Sequence, residues 1–256
     1  MGIFSIFGMI MNILQAVLAH KDFEWSDLPA EELKKYLVFT PNEIKTNIPN
    51  VHMYKELEGY DSRICSELSH LNYIRQENDF DWVVINHYRR RLQVPNYNIQ
   101  YVSRPIIFQV TVKEQFKMFH NIEDLNLFTK IIMESDCLDD FKLEWIKSLE
   151  DTFFIPYNMV SVTGKVFNEW IDLGIKFIET YKTIKNIKTY EDMLKLNTDG
   201  DLKGKTHGKE RVIGFLFERF SNAYWRWYSK KNNPLPDIKN PILYCDTKLL
   251  EDGMVI

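Results

Sequence analysis

The segment Trp82-Val83-Val84-Ile85-Asn86-His87-Tyr88-Arg89-Arg90-Arg91 is an apolar, β-branched run that stops on a histidine, a tyrosine and three arginines. Such a run reads as a strand buried on both faces, so its cations are delivered to the strand's C-terminal end. Ligands of open α/β sheets gather outside those ends, and a guanidinium offers paired, charge-assisted hydrogen bonds to phosphate oxygens. The chemistry these residues fit is recognition of a phosphorylated or nucleotide ligand. The competing reading is a solvated basic turn that discourages aggregation. What favours the first is the company the motif keeps along the chain.

The elements that would position these residues alternate in type. Residues 12–19 read as a first buried strand, followed by His20-Lys21 and a short helix over 29–36 with Ser26 and Asp27 as cap candidates. Asp61-Ser62 opens a helix in which Ile64, Leu68, Leu71 and Ile74 form one stripe. After the strand that ends at Asn86, the spacing predicts a strand over 104–110 and helices over 113–120, 123–135 and 138–149. A strand over 157–164 follows, then a long helix burying Phe167, Ile171, Ile175 and Ile178. A polar loop over 197–209 leads to a last helix over 210–228 and a Pro-containing tail. Strands alternating with helices imply an α/β sheet covered on both faces. No repeat or linker divides the chain, so the expected organisation is an apolar extension over 1–10, one domain over 11–231 and a tail over 232–256.

With 256 residues, 45% of them hydrophobic, the chain can bury a full core. Its 36 acidic and 32 basic residues give a net charge of -4, which argues against a surface built throughout to coat nucleic acid but leaves room for a local basic groove. Cys65, Cys137 and Cys245 show neither a CxxC pair nor zinc spacing and read as free thiols in a reducing cytoplasm. Residues 3–19 carry no charged side chain, yet Asn12 and Gln15 interrupt the run, no Lys or Arg precedes it, and Ile6 breaks the myristoylation pattern. A cytoplasmic protein is the expectation, with peripheral membrane contact through residues 1–10 as the alternative.

A series of short motifs keeps a common order: His20-Lys21 after the first strand, Glu67-Leu68-Ser69 in a helix, Asn86-His87-Tyr88-Arg89-Arg90 after a strand, His120 followed by Ile122-Glu123-Asp124-Leu125, Tyr157-Asn158-Met159, and Gly214-Phe215-Leu216-Phe217-Glu218-Arg219 in the final helix. In this order and spacing the chain resembles the bacterial capsular-polysaccharide-synthesis glycosyltransferases over about residues 12–228. The resemblance implies a single GT-A-like α/β domain with a Rossmann-like, mostly parallel mixed sheet that binds a nucleoside-diphosphate sugar, a UDP-sugar above all, at its C-terminal strand edges. It further implies donor binding by His20, Lys21, Glu67, Arg89, Arg90, Asn158 and Arg219, with Glu218, His87 and Asp124 as catalytic candidates. Sugar transfer requires neutralising the departing diphosphate and often a base for the acceptor hydroxyl. Glu218, on a helix amid Phe215, Phe217 and Phe220, is costly to bury unless paired or functional. Its alternative is an internal salt bridge with Arg219, Arg211 or Arg226. Glu123 and Asp124 also fit a helix start, where acids are favoured. Lys21 also reads as a solvated lysine, and His87 fits a binding or structural role as well as a base.

GT-A enzymes commonly place Asp-x-Asp after a central strand to hold a divalent metal, where this chain has Asn86-His87-Tyr88-Arg89-Arg90. Asp79-Phe80-Asp81 lies at the wrong end of the strand, and Asp199-Gly200-Asp201 sits in a polar loop that a turn explains. Arginines in place of metal are expected, so that a divalent ion is not strictly required. Two acceptors fit: a cell-surface glycan precursor, or a hydroxymethylated base in phage DNA, the latter suited to the Asn-, Ile-, Lys- and Phe-rich composition. Lys203, Lys205, Lys209 and Arg211 lead into Tyr224-Trp225-Arg226-Trp227-Tyr228, which could pair phosphates and stack on an extruded base, or could pack as core. A non-catalytic nucleic-acid or partner-binding module using the same residues is the alternative of another class.

Overall fold

The computed structural model describes residues 2–6, 9–97, 99–196, 211–232 and 242–249. The apolar segment at the start of the chain forms an antiparallel hairpin: β1 (Gly2–Ile6) pairs with β2 (Met9–Leu18), with Gly2 opposite Ile13. The expected extension is therefore a strand of the sheet. In β2 the side chains alternate, Leu14, Ala16 and Leu18 entering the main core while Ile13 and Val17 face the opposite side of the sheet.

The central run of the sheet is parallel. β3 (Leu37–Thr40) lies on one side of β2 with β4 (Val51–Met53) beyond it, and β5 (Trp82–His87) lies on the other. All six residues of β5 are buried, as its continuous apolar pattern predicts for a strand covered on both faces. Burying each large side chain of such a strand stabilises the fold by roughly 1.5–3 kcal/mol. β6 (Arg90–Leu92) folds straight back from β5 with His87 opposite Arg90. Beyond β5 the sheet turns antiparallel: β10 (Val160–Thr163) sits between β5 and β7 (Gln100–Ser103). From the C-terminal region, β11 (Ile242–Cys245) joins β7 and β12 (Thr247–Leu249) joins β6. β8 (Ile106–Ile107) and β9 (Phe153–Phe154) form a separate two-stranded piece.

One face of the sheet is packed by α3 (Glu67–Glu77), α5 (Ile122–Glu134), α6 (Asp139–Glu150), α7 (Gly164–Lys185) and α9 (Val212–Asn232), with α4 (Val112–Phe119) completing the layer. The other face is covered by irregular chain, including Phe23, Trp25 and Tyr36, around the single turn α1 (Ala30–Leu33). Trp25 pins this cover to the sheet by donating its indole N–H to the Tyr88 carbonyl at 2.8 Å.

Several elements depart from the sequence expectation. The helix expected over 29–36 is a four-residue turn, because residues from Leu37 onward are taken up by β3. The strand expected over 104–110 is displaced: β7 precedes it, and Pro105, which has no N–H to give a ladder, separates β7 from β8. The helix that opens at Asp61 is split into α2 (Ser62–Cys65) and α3 by Ser66, which holds φ 52°. The last helix approaches so closely there that a Cβ on Gly214 would lie 2.5 Å from the Ser66 Oγ. The strand expected from 157 begins only at Val160, since Tyr157 and Asn158 both hold positive φ, 71° and 50°. Among the described residues no helix is long and apolar enough to cross a membrane.

The tightest packing joins α7 to α9 at Gly174, where a Cβ would lie 2.5 Å from Phe217 and 2.8 Å from Phe220. Gly174→Ala is expected to destabilise the protein by about 1–3 kcal/mol through overpacking, read as a lowered midpoint in thermal or denaturant unfolding. An unchanged midpoint would mean that the two helices slide apart freely.

Candidate active site

The C-terminal ends of β2, β3 and β5 converge on a cleft of about 280 Å³ lined by Leu18, His20, Asn42, Ser66, Glu67, His70, His87 and Arg211, with Ser62, Arg63 and Tyr190 at its margin. The parallel pairing of β2 with β5 sets Leu18 opposite His87, so the residues that follow β2 meet the end of β5. The loop after β2 is fixed from two sides. His70 on α3 donates from Nε2 to the Ala19 carbonyl at 3.1 Å, and Asn42 donates its side-chain N–H to the His20 carbonyl at 3.3 Å. α8 (Tyr190–Leu196) contributes Tyr190, over whose ring the Arg63 guanidinium lies at 4.1 Å.

The imidazoles of the cleft are held neutral. Burial pushes the His87 pKa well below its ordinary value, and Arg89, His20 and Arg90 add to the effect. The Arg89 backbone N–H donates to His87 Nδ1 at 3.2 Å, which assigns the ring proton to Nε2, 3.9 Å from the Glu67 carboxylate. His20 is lowered to about 4, first by desolvation and then by the neighbouring His70, Arg211, Lys21 and Arg89. Its ring meets Tyr88 edge-on at 4.9 Å, and Lys21 lies 5.3 Å over the same tyrosine while remaining exposed. At neutral pH the positive charge at the cleft therefore comes from arginines and Lys21.

The three arginines of the opening motif differ. Arg91 pairs with Asp27 at 2.8 Å on the far side of the hairpin. Arg89 and Arg90 stand beside the cleft, with no carboxylate in ion-pair range among the described residues. Arg89 lies 5.3 Å over Tyr88 with its Nε buried and without a partner, and Arg90 lies 4.1 Å over Tyr157. Arg211 lines the cleft itself and donates from Nε to Ser66 Oγ at 3.1 Å. In the sequence Arg211 stands out only as a partner for Glu218 and as the end of a basic run. Its place one turn before Gly214, the glycine that lets α9 touch Ser66, was the available signal.

Glu218 is 19% exposed at its side chain and accepts from the Tyr157 N–H at 3.2 Å and from Arg219 Nη1 at 3.2 Å. Burial pushes its pKa up against the attraction of Arg219. Three of the expected site residues lie away from the cleft. Arg219 does not line it: it is 2% exposed, enclosed by the rings of Phe116, Phe154 and Phe215, and bonded to Gln115 and Glu218. Burial lowers its pKa to about 10, and its role is to hold Glu218. Asp124 lies in the helical layer, accepting from Tyr181 Oη at 2.7 Å and pairing with Lys185 at 2.9 Å, and lines no part of the cleft. Asn158 is buried in the turn before β10 and does not line the cleft either.

Of the aspartates considered as metal ligands, Asp81 is at the opposite end of β5, where it accepts the Asn12 N–H at 2.9 Å. Asp199 and Asp201 lie outside the described residues, as do Lys203, Lys205 and Lys209. Tyr224 and Trp225 are core residues.

No protein-family model matches the chain, and no curated protein matches it in sequence. Among solved structures, the apo structure of WbbM, a bifunctional glycosyltransferase, matches with a TM-score of 0.67 at 10% identity, over 94% of this chain and 46% of that one. This chain thus spans about half the length of that protein. The fold is the GT-A-like α/β fold, with a mostly parallel central sheet flanked by helices.

Proposed function

We propose that the protein is a glycosyltransferase that moves a sugar from a nucleoside diphosphate, UDP first among them, to an acceptor hydroxyl. One observation carries this reading: at the C-terminal ends of β2, β3 and β5, Arg89, Arg90 and Arg211 gather around imidazoles held neutral, with no carboxylate in ion-pair range among the described residues. Partly desolvated guanidiniums with no internal anion are suited to a multiply charged leaving group, whose developing charge they stabilise without reorganising. His20 and the neutral Nε2–H of His87 add hydrogen-bonding groups for the nucleotide. The fold shared with a glycosyltransferase supports the same reading.

A glycan hydroxyl, at the cytoplasmic face of a membrane, is the acceptor we favour. Of the aromatics that would stack on an extruded DNA base, Tyr224 and Trp225 pack into the core between α6, α7 and α9 while Trp227 and Tyr228 stay partly exposed, which weighs toward the glycan. The arginines take the place that a divalent ion holds in many GT-A enzymes.

Two measurements test this. In a thermal-shift panel of nucleoside diphosphates and their sugars, UDP at about a hundred times its Kd is expected to stabilise the protein by about 2.7 kcal/mol. Arg89→Ala, Arg90→Ala and Arg211→Ala are each expected to weaken UDP about tenfold to a hundredfold, matching charge-assisted bonds of roughly 1.5–3 kcal/mol. Stabilisation by no nucleotide, with salt-dependent binding of DNA instead, would favour a non-catalytic binding module. Release of UDP from the best donor is expected to persist in excess EDTA. Complete loss restored by Mn²⁺ would transfer the neutralising role from the arginines to a metal.

A further inference from the structure

The carboxylate that attracts attention in the sequence, Glu218, has both oxygens engaged, one by the Tyr157 N–H and one by Arg219. Each oxygen keeps a further lone pair, yet Glu218 is not among the residues that line the cleft. Tyr157 holds a left-handed backbone beside an equally left-handed Asn158, and its ring stacks on Arg90. Glu218 is thus built into the support of the arginine hairpin.

Glu67 has the opposite character. It is the first residue of the eleven-residue α3, lines the cleft and is 25% exposed at its side chain. Among the described residues no hydrogen bond reaches its carboxylate, and the one basic group within 4 Å is His87 Nε2 at 3.9 Å. That imidazole is locked by the Arg89 N–H in the tautomer that turns a proton, not a lone pair, toward Glu67. The Glu67 carboxylate therefore faces a donor on that side, and its oxygens are open to the cavity. Arg211 and His20 line the same cavity.

Resting on the glycosyl-transfer reading above, we propose that Glu67 is the general base of the reaction. The acceptor oxygen forms its bond to the sugar C1 as the bond from C1 to the diphosphate oxygen breaks. The leaving diphosphate takes that electron pair and is met by the arginines, and the hydroxyl proton passes to a Glu67 carboxylate oxygen, from which it is lost to solvent. Geometry comes before basicity in such an assignment, and Glu67 is the carboxylate of the cleft with free oxygens.

The competing role for an acidic residue at this edge of a nucleotide-binding sheet is to hold the ribose hydroxyls, and binding separates the two. The probe is UDP release from whichever UDP-sugar turns over fastest, with water as acceptor, alongside UDP binding by calorimetry. Glu67→Gln is expected to lower kcat by about a hundredfold or more while leaving the UDP Kd within about threefold of the parent. Glu67→Asp, which keeps the carboxylate but draws it back, is expected to fall between. A Glu67→Gln protein with weakened UDP binding and near-parental kcat would overturn the assignment in favour of a ribose ligand. Should the Gln variant fail to fold, parental kcat in Glu67→Asp overturns it equally, and a reduced kcat with intact UDP binding supports it. A parent protein that binds UDP sugars but releases no UDP, or binds none, would count against the transferase reading itself.

Discussion

The register of β2 against β5 is the constraint from which the site follows. With Leu18 opposite His87, the two strands end level, and whatever follows each one meets over the same edge. A shift of one residue would turn Leu14, Ala16 and Leu18 out of the main core and exchange the faces of every side chain in the strand. The alternation of Leu14, Ala16 and Leu18 on one side with Ile13 and Val17 on the other leaves a single pairing that buries both sets. Placement of His20 beside His87 is thus a by-product of core packing.

Charge is matched in the body of the protein and left unmatched at this edge. Arg226 is satisfied by Glu144 at 2.8 Å and Asp151 at 3.0 Å, and Lys185 by Asp124. A buried ion pair that loses one member is costly, so these pairs are fixed parts of the helical layer. Arg89 and Arg90 have aromatic rings beneath them instead of carboxylates. A ring supports a guanidinium without neutralising it, which preserves the field of the cation for something else.

Much of this was legible in the sequence. The run from Trp82 to His87 announced a doubly covered strand, and the stripe Ile64, Leu68, Leu71 and Ile74 announced helix packed on sheet, because both are statements about local burial. What was not legible has a different origin. Arg219 and Glu218 are adjacent and similar in pattern, and only the three-dimensional crowding of Phe116, Phe154 and Phe215 decides that one is enclosed. Asp124 was separated from the cleft by its partners Tyr181 and Lys185, about sixty positions downstream by chain number. The break at Ser66 and the left-handed Tyr157 were invisible because serine and tyrosine carry no mark of positive φ, whereas Asn158, of a type enriched there, was the one hint of the turn.

The way β12 closes on β6 has a consequence for the stiffness of the arginine hairpin. In the ladder Leu249 stands opposite Arg90 and Lys248 opposite Arg91, so β6 is held on its outer side by β12 as well as on its inner side by β5. Without β12, β6 would be an unprotected edge. The spacing of the guanidiniums beside the cleft is therefore braced by a segment far along the chain, and any disturbance of β12 would be felt at the cleft.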